Sequence, residues 1–307
     1  MTVRLVVTGV AGFVGHHVAR MAAEEGWSVF GVSSAPTPPA ELEPYLDSYV
    51  GADLREEWPR EAPTDAAVIH LAGLAAVGPS FDAPQEYIEA NSAMVTRMCE
   101  ALLAAGGSGR IVGVSTGAVY ASTPTPSVHA ETSPVGFSSP YVVSKLLVES
   151  QLHYYQQRGL DSVVARPFNH IGPGQGPGFL VPDLARRLRE LSPGEPLTVG
   201  NLDTRRDYTD VRDVARAYLL LAAAPQLSHP LFNVASGTAL SGRAILDLVC
   251  AALEIDVPPL RVDRARVRPN DPASIAGDAS RLHGELGWLP TIPVDQTIAE
   301  FVASTRS

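Results

Sequence analysis

Cysteine is scarce in this sequence, and its scarcity excludes one way of holding a protein together. The 307 residues include two cysteines, Cys99 and Cys250, and each has apolar neighbours at helical spacing. Isolated thiols of this kind indicate buried free cysteines rather than a disulfide framework or a cysteine-ligated metal site. We therefore predict a protein without a bound metal.

Positive charge is also in short supply. The chain has 23 lysine and arginine residues against 33 aspartate and glutamate residues, for a formal net charge of −10. Such an acidic balance disfavours the phosphate backbone of a nucleic acid as a partner. It still allows one small anionic ligand, because a few well-placed arginines can hold a diphosphate locally.

Long apolar runs are missing as well. No stretch approaches the ~18 consecutive apolar residues of a membrane span. The apolar segment at residues 3–7 is too short for the hydrophobic region of a signal peptide, and no cleavage site follows it. We expect a soluble, cytoplasmic protein without a membrane partner. Its composition, 45% hydrophobic and 18% charged, is that of an ordinary globular protein.

What the sequence does contain is a regular alternation of short apolar runs and helical patterns. Strands that are apolar throughout and alternate with helices predict a parallel sheet that is covered on both faces. The expected fold class is therefore α/β, a doubly wound Rossmann sheet with its ligand crevice at the carboxyl ends of the strands. We predict strands at residues 3–8, 28–32, 67–71, 110–115 and 162–166, and helices at residues 12–25, 85–105 and 140–158.

A glycine-rich motif follows the first predicted strand. Residues 8–15 read TGVAGFVG, so that G-x-x-G-x-x-G stands between a strand and a helix. Glycines permit the tight turn and let backbone N–H groups approach a pyrophosphate at the helix N-terminus. The alternative, a turn that holds no ligand, is disfavoured by this context. The predicted dinucleotide contacts here are Gly9, Gly12, Phe13, Val14 and Gly15.

The residues that follow the second predicted strand bear on which dinucleotide binds. An acidic residue after the second strand would bind the ribose 2′-hydroxyl and favour NAD. This chain has Ser33 and Ser34 there, which leave room for a 2′-phosphate, so NADP is favoured and NAD stays possible. Asp53, followed by Leu54, is placed to accept a hydrogen bond from the adenine amine, and its alternative role is a helix N-cap.

A candidate catalytic group lies on and near the third predicted helix. Tyr141 and Lys145 form Y-x-x-x-K, a spacing that places both side chains on one helix face. The ammonium, with the positive charge of an oxidised nicotinamide, would stabilise tyrosinate, so that Tyr141 exchanges a proton with substrate while hydride moves. Lys145 would also hold the nicotinamide ribose. Thr116, at the end of a strand, could polarise the reacting carbonyl. The alternatives are an ordinary helix pair and a turn threonine.

Together these motifs resemble the extended short-chain dehydrogenase/reductases, the group of NAD-dependent epimerases and dehydratases that act on nucleotide sugars. The resemblance spans nearly the whole chain and includes His70-Leu71-Ala72-Gly73. It implies that a nucleotide-diphosphate sugar lies between the sheet domain and a smaller lobe, and that a homodimer forms through helices including the Tyr-Lys helix. The further cofactor contacts expected on this basis are Leu71, Ala72, Gly73, Asn91, Val114 and Pro167.

The second half of the chain narrows the resemblance. Residues 166–175 (RPFNHIGPGQ) and 205–214 (RRDYTDVRDV) resemble GDP-6-deoxy-4-keto-mannose reductases. This resemblance implies that Asn169 bonds the sugar or phosphate and that Arg206 and Arg268 hold the diphosphate or nucleoside. Bidentate guanidinium–phosphate contact gives the arginines a physical reason for that role, and a surface ion pair is their alternative. Phe179 and Thr116 complete the predicted substrate contacts.

The residue two positions after Thr116 bears on the reaction. Related 4,6-dehydratases resemble one another in having an acid there, which takes part in removing water, whereas this chain has Ala118. We therefore expect NADPH-dependent reduction of the C4 ketone of a GDP- or dTDP-linked 4-keto-6-deoxyhexose. A nucleotide-sugar 4-epimerase with tightly held NAD is the alternative. A non-catalytic cofactor sensor is disfavoured, because Thr116, Tyr141 and Lys145 are all present.

A change of composition predicts where the lobes divide. Residues 171–178 (IGPGQGPG) are rich in glycine and proline and cannot form regular structure. We expect residues 1–166 to form the NAD(P)-binding domain and residues 167–307 the smaller α/β substrate lobe, with residues 207–235 returning to the first domain.

Overall fold

The computed structural model describes residues 3–122, 128–263 and 273–305. Each strand and helix predicted in the first 167 residues is present, and its ends lie within one residue of the expected bounds. The strands are β1 Arg4–Thr8, β2 Ser28–Ser33, β3 Ser48–Gly51, β4 Ala67–His70, β5 Ile111–Val114, β6 Val128–His129, β7 Ser162–Pro167, β8 Asn169–Ile171, β9 Leu197–Val199, β10 Arg205–Asp210, β11 Leu231–Val234, β12 Ala239–Ser241, β13 Leu260–Val262 and β14 Ser274–Gly277. The helices are α1 Phe13–Glu24, α2 Val77–Ser80, α3 Pro84–Ala104, α4 Pro140–Gln157, α5 Leu180–Glu190, α6 Val211–Ala223, α7 Gly242–Leu253, α8 Ser280–Leu286 and α9 Val294–Ser304.

A seven-stranded sheet forms the larger layer, with the strand order β11-β7-β5-β4-β1-β2-β3. All of its pairings are parallel. The chain builds outward from β1 in one direction and then from β4 in the other, so the topological switch point lies between these two strands. Ligands bind at such a point in doubly wound sheets. The predicted Rossmann architecture is confirmed.

Helices cover both faces of this sheet. Helices α1 and α6 pack together on one face, and α3 and α4 pack together on the other. Helix α4 begins after Ser139, whose hydroxyl accepts a hydrogen bond from the backbone N–H of Val142 at 3.2 Å. Pro140 occupies the first helical position, where its missing N–H costs nothing. Gly159, with φ of +103°, follows the end of the helix.

The second lobe is built around a smaller sheet with the order β12-β10-β14-β6, to which β8 adds by pairing with β10. Helices α5, α7 and α9 pack around one apolar cluster beside it. Between β10 and β12 the chain returns to the large sheet, because α6 packs on α1 and β11 pairs with β7. Strand β10 itself, which includes residues 207–210, pairs with strands of the second lobe.

Two further expectations concern single residues and membrane character. Cys99 and Cys250 are free and buried, as the sequence predicts. Among the described residues, no helix combines the length and the apolar character that crossing a bilayer requires.

Candidate active site

The glycine-rich turn between β1 and α1 is closely packed. Gly9 has φ of +66°, and a Cβ atom there would lie 2.9 Å from the backbone nitrogen of Ala72. A Cβ atom on Gly15 would lie 2.3 Å from the carbonyl oxygen of Gly9. No side chain caps α1 after Gly12, and its first turn contains no acid. The positive end of the helix is therefore left for an anion, and the turn fits a pyrophosphate.

Thr8 joins this turn to the loop after β4. Its hydroxyl accepts hydrogen bonds from the backbone N–H groups of Leu71 and Ala72, at 3.1 and 3.2 Å, and lies 2.9 Å from Nδ1 of His70. A hydroxyl has a single hydrogen to donate, so this hydrogen goes to Nδ1, and His70 carries its own hydrogen on Nε2. Burial, followed by the charge of Lys145, lowers the pKa of His70 to about 3. The ring is therefore neutral at ordinary pH.

Hydrogen bonds between side chains of the protein hold the end of β2 in place. The Tyr49 hydroxyl donates to the carbonyl of Ala35 at 2.6 Å and therefore accepts from Ser33, at 2.8 Å. The hydroxyl hydrogen of Ser33 is thus used inside the protein, and its side chain is buried. Ser34 is exposed, so it is the serine of this pair that can face a ligand.

The segment after β3 contains an exposed ion pair beside a buried leucine. Asp53 is exposed and bonds the backbone N–H of Arg55 at 3.0 Å and its guanidinium at 2.6 Å. The side-chain hydrogen bond from Arg55 lowers the pKa of this carboxyl. Leu54 is buried among core side chains, so only its main chain can face a ligand. Arg55, two residues further along the chain, is thus held against Asp53 at this end of the site.

The three predicted catalytic side chains lie together at the end of β5. Lys145 donates from Nζ to the carbonyl of Val114 at 2.9 Å, and Thr116 hydrogen bonds to Tyr141. Tyr141 and Lys145 are both more than nine-tenths buried. The Thr116 hydroxyl also accepts from the backbone N–H of Ala118 at 3.1 Å, which is the turn-threonine role. Both expected roles of Thr116 are therefore compatible with the geometry.

Burial decides the protonation of this group. It raises the pKa of Tyr141 to about 12, with the hydrogen bond to Thr116 opposing the rise. It lowers the pKa of Lys145 to about 8, with the charge of Glu149 opposing the fall. Among the residues of the chain, desolvation of the phenol therefore outweighs any stabilisation of tyrosinate by the Lys145 ammonium. At neutral pH Tyr141 keeps its proton, which suits a proton donor.

Asn91 is held in place by three hydrogen bonds within the protein. Its side-chain NH₂ donates to the hydroxyl of Ser144 at 2.9 Å and to the carbonyl of Leu74 at 3.1 Å, and its oxygen accepts from the N–H of Leu74 at 2.8 Å. Both amide hydrogens are therefore occupied by the protein, and the side chain is buried. Asn91 is a brace between α3, α4 and the loop that contains Gly73. A Cβ atom on Gly73 would lie 2.9 Å from its oxygen.

The glycine- and proline-rich loop of the second lobe rests on the first turns of α1. Nε2 of His17 donates to the carbonyl of Pro173 at 2.9 Å. The ring of Phe13 stacks on that of His170, with centroids 6.0 Å apart and planes at 14°. The sequence analysis gave His17 no role, because a contact across 156 residues leaves no local pattern. The predicted cofactor helix and the substrate lobe are thus in direct contact.

The predicted substrate contacts are only partly placed. Asn169 is exposed at the start of β8, and Phe179 is 49% exposed immediately before α5. Arg206 lies on β10, two residues before the strand pairs with β8 at Tyr208, and one of its N–H groups donates to the carbonyl of Arg205 at 2.6 Å. Pro167 is buried at the end of β7. Arg268 lies outside the described residues.

Comparisons with known proteins agree with this geometry. The model of the NAD dependent epimerase/dehydratase family matches residues 5–235. The chain is 36% identical to the GDP-6-deoxy-D-mannose reductase of Pseudomonas aeruginosa, over 100% of this chain and 98% of that protein. The solved structure of RMD from Pseudomonas aeruginosa complexed with NADPH has a TM-score of 0.83 at 32% identity, covering 99% of this chain and 98% of that one. The UDP-glucose 4-epimerase of Azospirillum brasilense is 29% identical, over 94% of this chain and 87% of that protein.

The chain belongs to the NAD dependent epimerase/dehydratase family. The resemblance expected from the motifs is therefore confirmed. Both reductases and epimerases of nucleotide sugars occur among its relatives, so membership alone leaves the reaction to be argued from the site.

The composition contains a further signal for the active site of this family member. Lys145 is the single lysine among its 23 lysine and arginine residues, and every other basic residue is arginine. Arginine stays charged at all ordinary pH values, whereas a buried lysine can change its charge and presents one compact donor. The one position at which the chain keeps an amine is the predicted catalytic lysine.

Proposed function

We propose that the protein reduces the C4 ketone of a nucleotide-linked 4-keto-6-deoxyhexose, with NADPH as the reductant, to give a 6-deoxyhexose nucleotide. The observation that carries the proposal is the group formed by Thr116 and the buried Tyr141 and Lys145, in which Tyr141 holds a proton that it can donate. The full-length similarity to a GDP-6-deoxy-D-mannose reductase supports the same reaction.

The residues of the chain fit a bound NADPH. The glycine turn and the first turn of α1 would hold the pyrophosphate. Ser34 is available to the 2′-phosphate of the adenosine ribose, and no carboxylate stands at that point to repel it. The exposed Asp53–Arg55 pair would lie beside the adenine. The similarity to a structure that contains NADPH supports this choice of cofactor over NAD, which stays possible.

The cofactor and each of the three side chains would then have a separate role in the reduction. When bound at this site, NADPH would supply the hydride for the reduction. Tyr141 gives its proton to the ketone oxygen, so that each turnover consumes one proton and yields an alcohol. Thr116 donates a hydrogen bond to the same oxygen and so stabilises the charge that develops on it. Lys145 orients the nicotinamide ribose, and its positive charge favours the tyrosinate that the proton transfer leaves behind.

The turn after Thr116 supports reduction over dehydration. Ala118 stands where the related dehydratases have an acid. The adjacent Gly117 has no space for a side chain, because a Cβ atom there would lie 2.8 Å from the ring of Phe168. A carboxylate that could remove a proton from the sugar is therefore missing from residues 117 and 118.

The second candidate is a nucleotide-sugar 4-epimerase. It is favoured by the relatives with that activity, of which one is 29% identical, and it would use the same three side chains. Such an enzyme returns the hydride to the sugar and so keeps its NAD, whereas a reductase must release its cofactor after each turnover. Cofactor retained through purification therefore separates the two.

The substrate residues Asn169, Phe179, Arg206 and Arg268 remain proposals, and so does a homodimer. Helices α3 and α4, at 21 and 18 residues the longest described, pack side by side and would form the subunit interface. Sedimentation of the purified protein tests the dimer.

The decisive experiment follows the absorbance of NADPH while GDP-4-keto-6-deoxymannose and dTDP-4-keto-6-deoxyglucose are offered separately. Oxidation with one substrate establishes the ketoreductase and identifies the base. Tyr141→Phe is the matched control, because it removes only the phenolic hydroxyl, and we expect it to bind NADPH normally and to lose turnover. No oxidation with either substrate, together with bound NAD in the purified protein, would replace the proposal by the epimerase.

A further inference from the structure

A largely buried carboxylate lies one turn beyond Lys145 on α4. Glu149 receives hydrogen bonds from the hydroxyl of Ser115 and from two nitrogens of Arg166, Nε at 2.8 Å and Nη2 at 2.6 Å. The side chains of Arg166 and Glu149 are 6% and 13% exposed. A single carboxylate thus joins α4 to the end of β5 and to β7.

The residues on either side of these contacts belong to the predicted site. Ser115 directly precedes Thr116, and Arg166 directly precedes Pro167. The guanidinium of Arg166 also lies over the ring of Tyr120, 4.9 Å from its centroid, and the Tyr120 hydroxyl donates to Asn233 at 2.6 Å. The position of the strand end that carries Thr116 relative to α4 is therefore fixed by Glu149.

A contribution to folding stability does not by itself explain why the chain buries the Glu149–Arg166 ion pair. Burying an ion pair costs desolvation, and apolar residues of the same volume often stabilise a protein as well or better. Buried charges that perturb their neighbours concentrate at functional sites. The position of this pair, one helical turn from Lys145, therefore points to a use in the reaction.

Lys145 is surrounded by few charged groups. Glu149 and Tyr141 flank it on α4, the neutral ring of His70 faces it from β4, and the carbonyl of Val114 faces it from β5. Burial lowers the pKa of Lys145 to about 8, and Glu149 is the group whose charge opposes this fall. Loss of the carboxylate would leave the cation of Arg166 nearby without its counter-ion.

We propose that Glu149 is a positioning residue for the reaction, which places Thr116 against Tyr141 through Ser115 and holds a negative charge one helical turn from the Lys145 ammonium. The effect on turnover rests on the proposed function, but the effect on the charge of Lys145 does not, and it can be measured without a substrate.

The test uses the fact that the chain has one lysine. In protein labelled with ¹³C,¹⁵N-lysine, the side chain of Lys145 is the single lysine signal, and its titration is read directly by NMR. We expect a midpoint near 8 for the unaltered protein. Glu149→Gln should lower this midpoint by about one unit, the size expected from one charge within about 10 Å of a buried site.

Arg166→Met is the complementary variant, for which we expect a shift of the Lys145 midpoint in the opposite direction. It breaks the same ion pair but leaves the carboxylate without its cation, so the midpoint of Lys145 should rise by a similar amount. Two variants that loosen the same contact and shift the midpoint in opposite directions separate an electrostatic role from a loss of packing. If both variants shift the midpoint in the same direction, or neither shifts it, the proposal is wrong.

Two controls complete the design. Glu100→Gln removes the carboxylate that pairs with Arg158 at the other end of α4, and it should leave the midpoint unchanged. Glu149→Asp keeps the charge, so it should hold the midpoint near that of the unaltered protein even if stability falls. A Glu149→Asp midpoint as low as that of Glu149→Gln would contradict the role of the charge.

Turnover then joins the inference to the proposed function. The alkaline limb of kcat/KM with the keto sugar, which reports ionisations of the free protein, should follow the NMR midpoint in each variant. If the unaltered protein reduces neither sugar but the midpoints shift oppositely, the proposed function fails and the effect of Glu149 on Lys145 stands. If the unaltered protein reduces a sugar but the midpoints do not shift, the proposed function stands and the proposed effect of Glu149 on Lys145 is wrong.

Discussion

Replacement of Thr8 by valine removes one hydroxyl at the switch point of the sheet while keeping the shape of the side chain. Thr8 is fully buried, and its hydroxyl bonds His70 and the N–H groups of Leu71 and Ala72. Each hydrogen bond contributes roughly 1 kcal/mol net, and each partner left unsatisfied adds to the cost, so Thr8→Val should lower the free energy of unfolding by about 3 kcal/mol. That is a large share of the ~5–15 kcal/mol typical of a folded domain.

The same change should weaken cofactor binding. The backbone of Ala72 lies against Gly9, where a Cβ atom would come within 2.9 Å, so the loop after β4 and the glycine turn share one surface. When the hydroxyl no longer holds the loop, we expect the Kd of NADPH to rise at least about tenfold, equivalent to ~1.4 kcal/mol. Urea unfolding measures the stability, and NADPH fluorescence measures the affinity.

Thr8→Ser is the matched control for this prediction. Serine keeps the hydroxyl and loses one buried methyl group, which costs about 1 kcal/mol. Its NADPH affinity should be that of the unaltered protein. The reasoning would be refuted by a Thr8→Val variant that is no less stable than Thr8→Ser and binds NADPH equally well.

Three further predictions follow from the same site. Gly15→Ala should abolish NADPH binding, because its Cβ atom would lie 2.3 Å from the Gly9 carbonyl, whereas Gly284→Ala, where a Cβ atom meets open space, should still bind in the same fluorescence titration. The pKa of His70 falls from 6.5 in the unfolded chain to about 3 in the folded protein, so the unfolded chain binds more protons between these pH values. The free energy of unfolding should therefore fall as the pH drops below 6.5. His70→Asn, which has no imidazole to protonate, should unfold at a lower pH in acid titrations. Turnover should decline as pH rises through about 8, where Lys145 loses its charge; a rate that stays level to pH 10 would contradict this role.

Much of the fold is predictable from local patterns alone. Apolar runs and helical periodicity predict five of the seven strands of the Rossmann sheet and three of the helices that cover it, because burial of one face depends on spacing within a few residues. The glycine turn and the Y-x-x-x-K pair are also local. The three glycines fall within seven positions, and the tyrosine and lysine are four positions apart. These patterns predicted both the family and the catalytic group.

The rest depends on contacts between residues far apart in the sequence. Thr8 meets His70 across 62 residues, Ser115 meets Glu149 across 34, and His17 meets Pro173 across 156. No spacing rule predicts such pairs, because they exist only after the sheet has formed. Protonation also depends on distant contacts, because burial raises the pKa of Tyr141 to about 12 and lowers that of Lys145 to about 8. The sequence alone determined which groups are available for catalysis, and the tertiary structure decided their charge, because desolvation depends on everything packed around them.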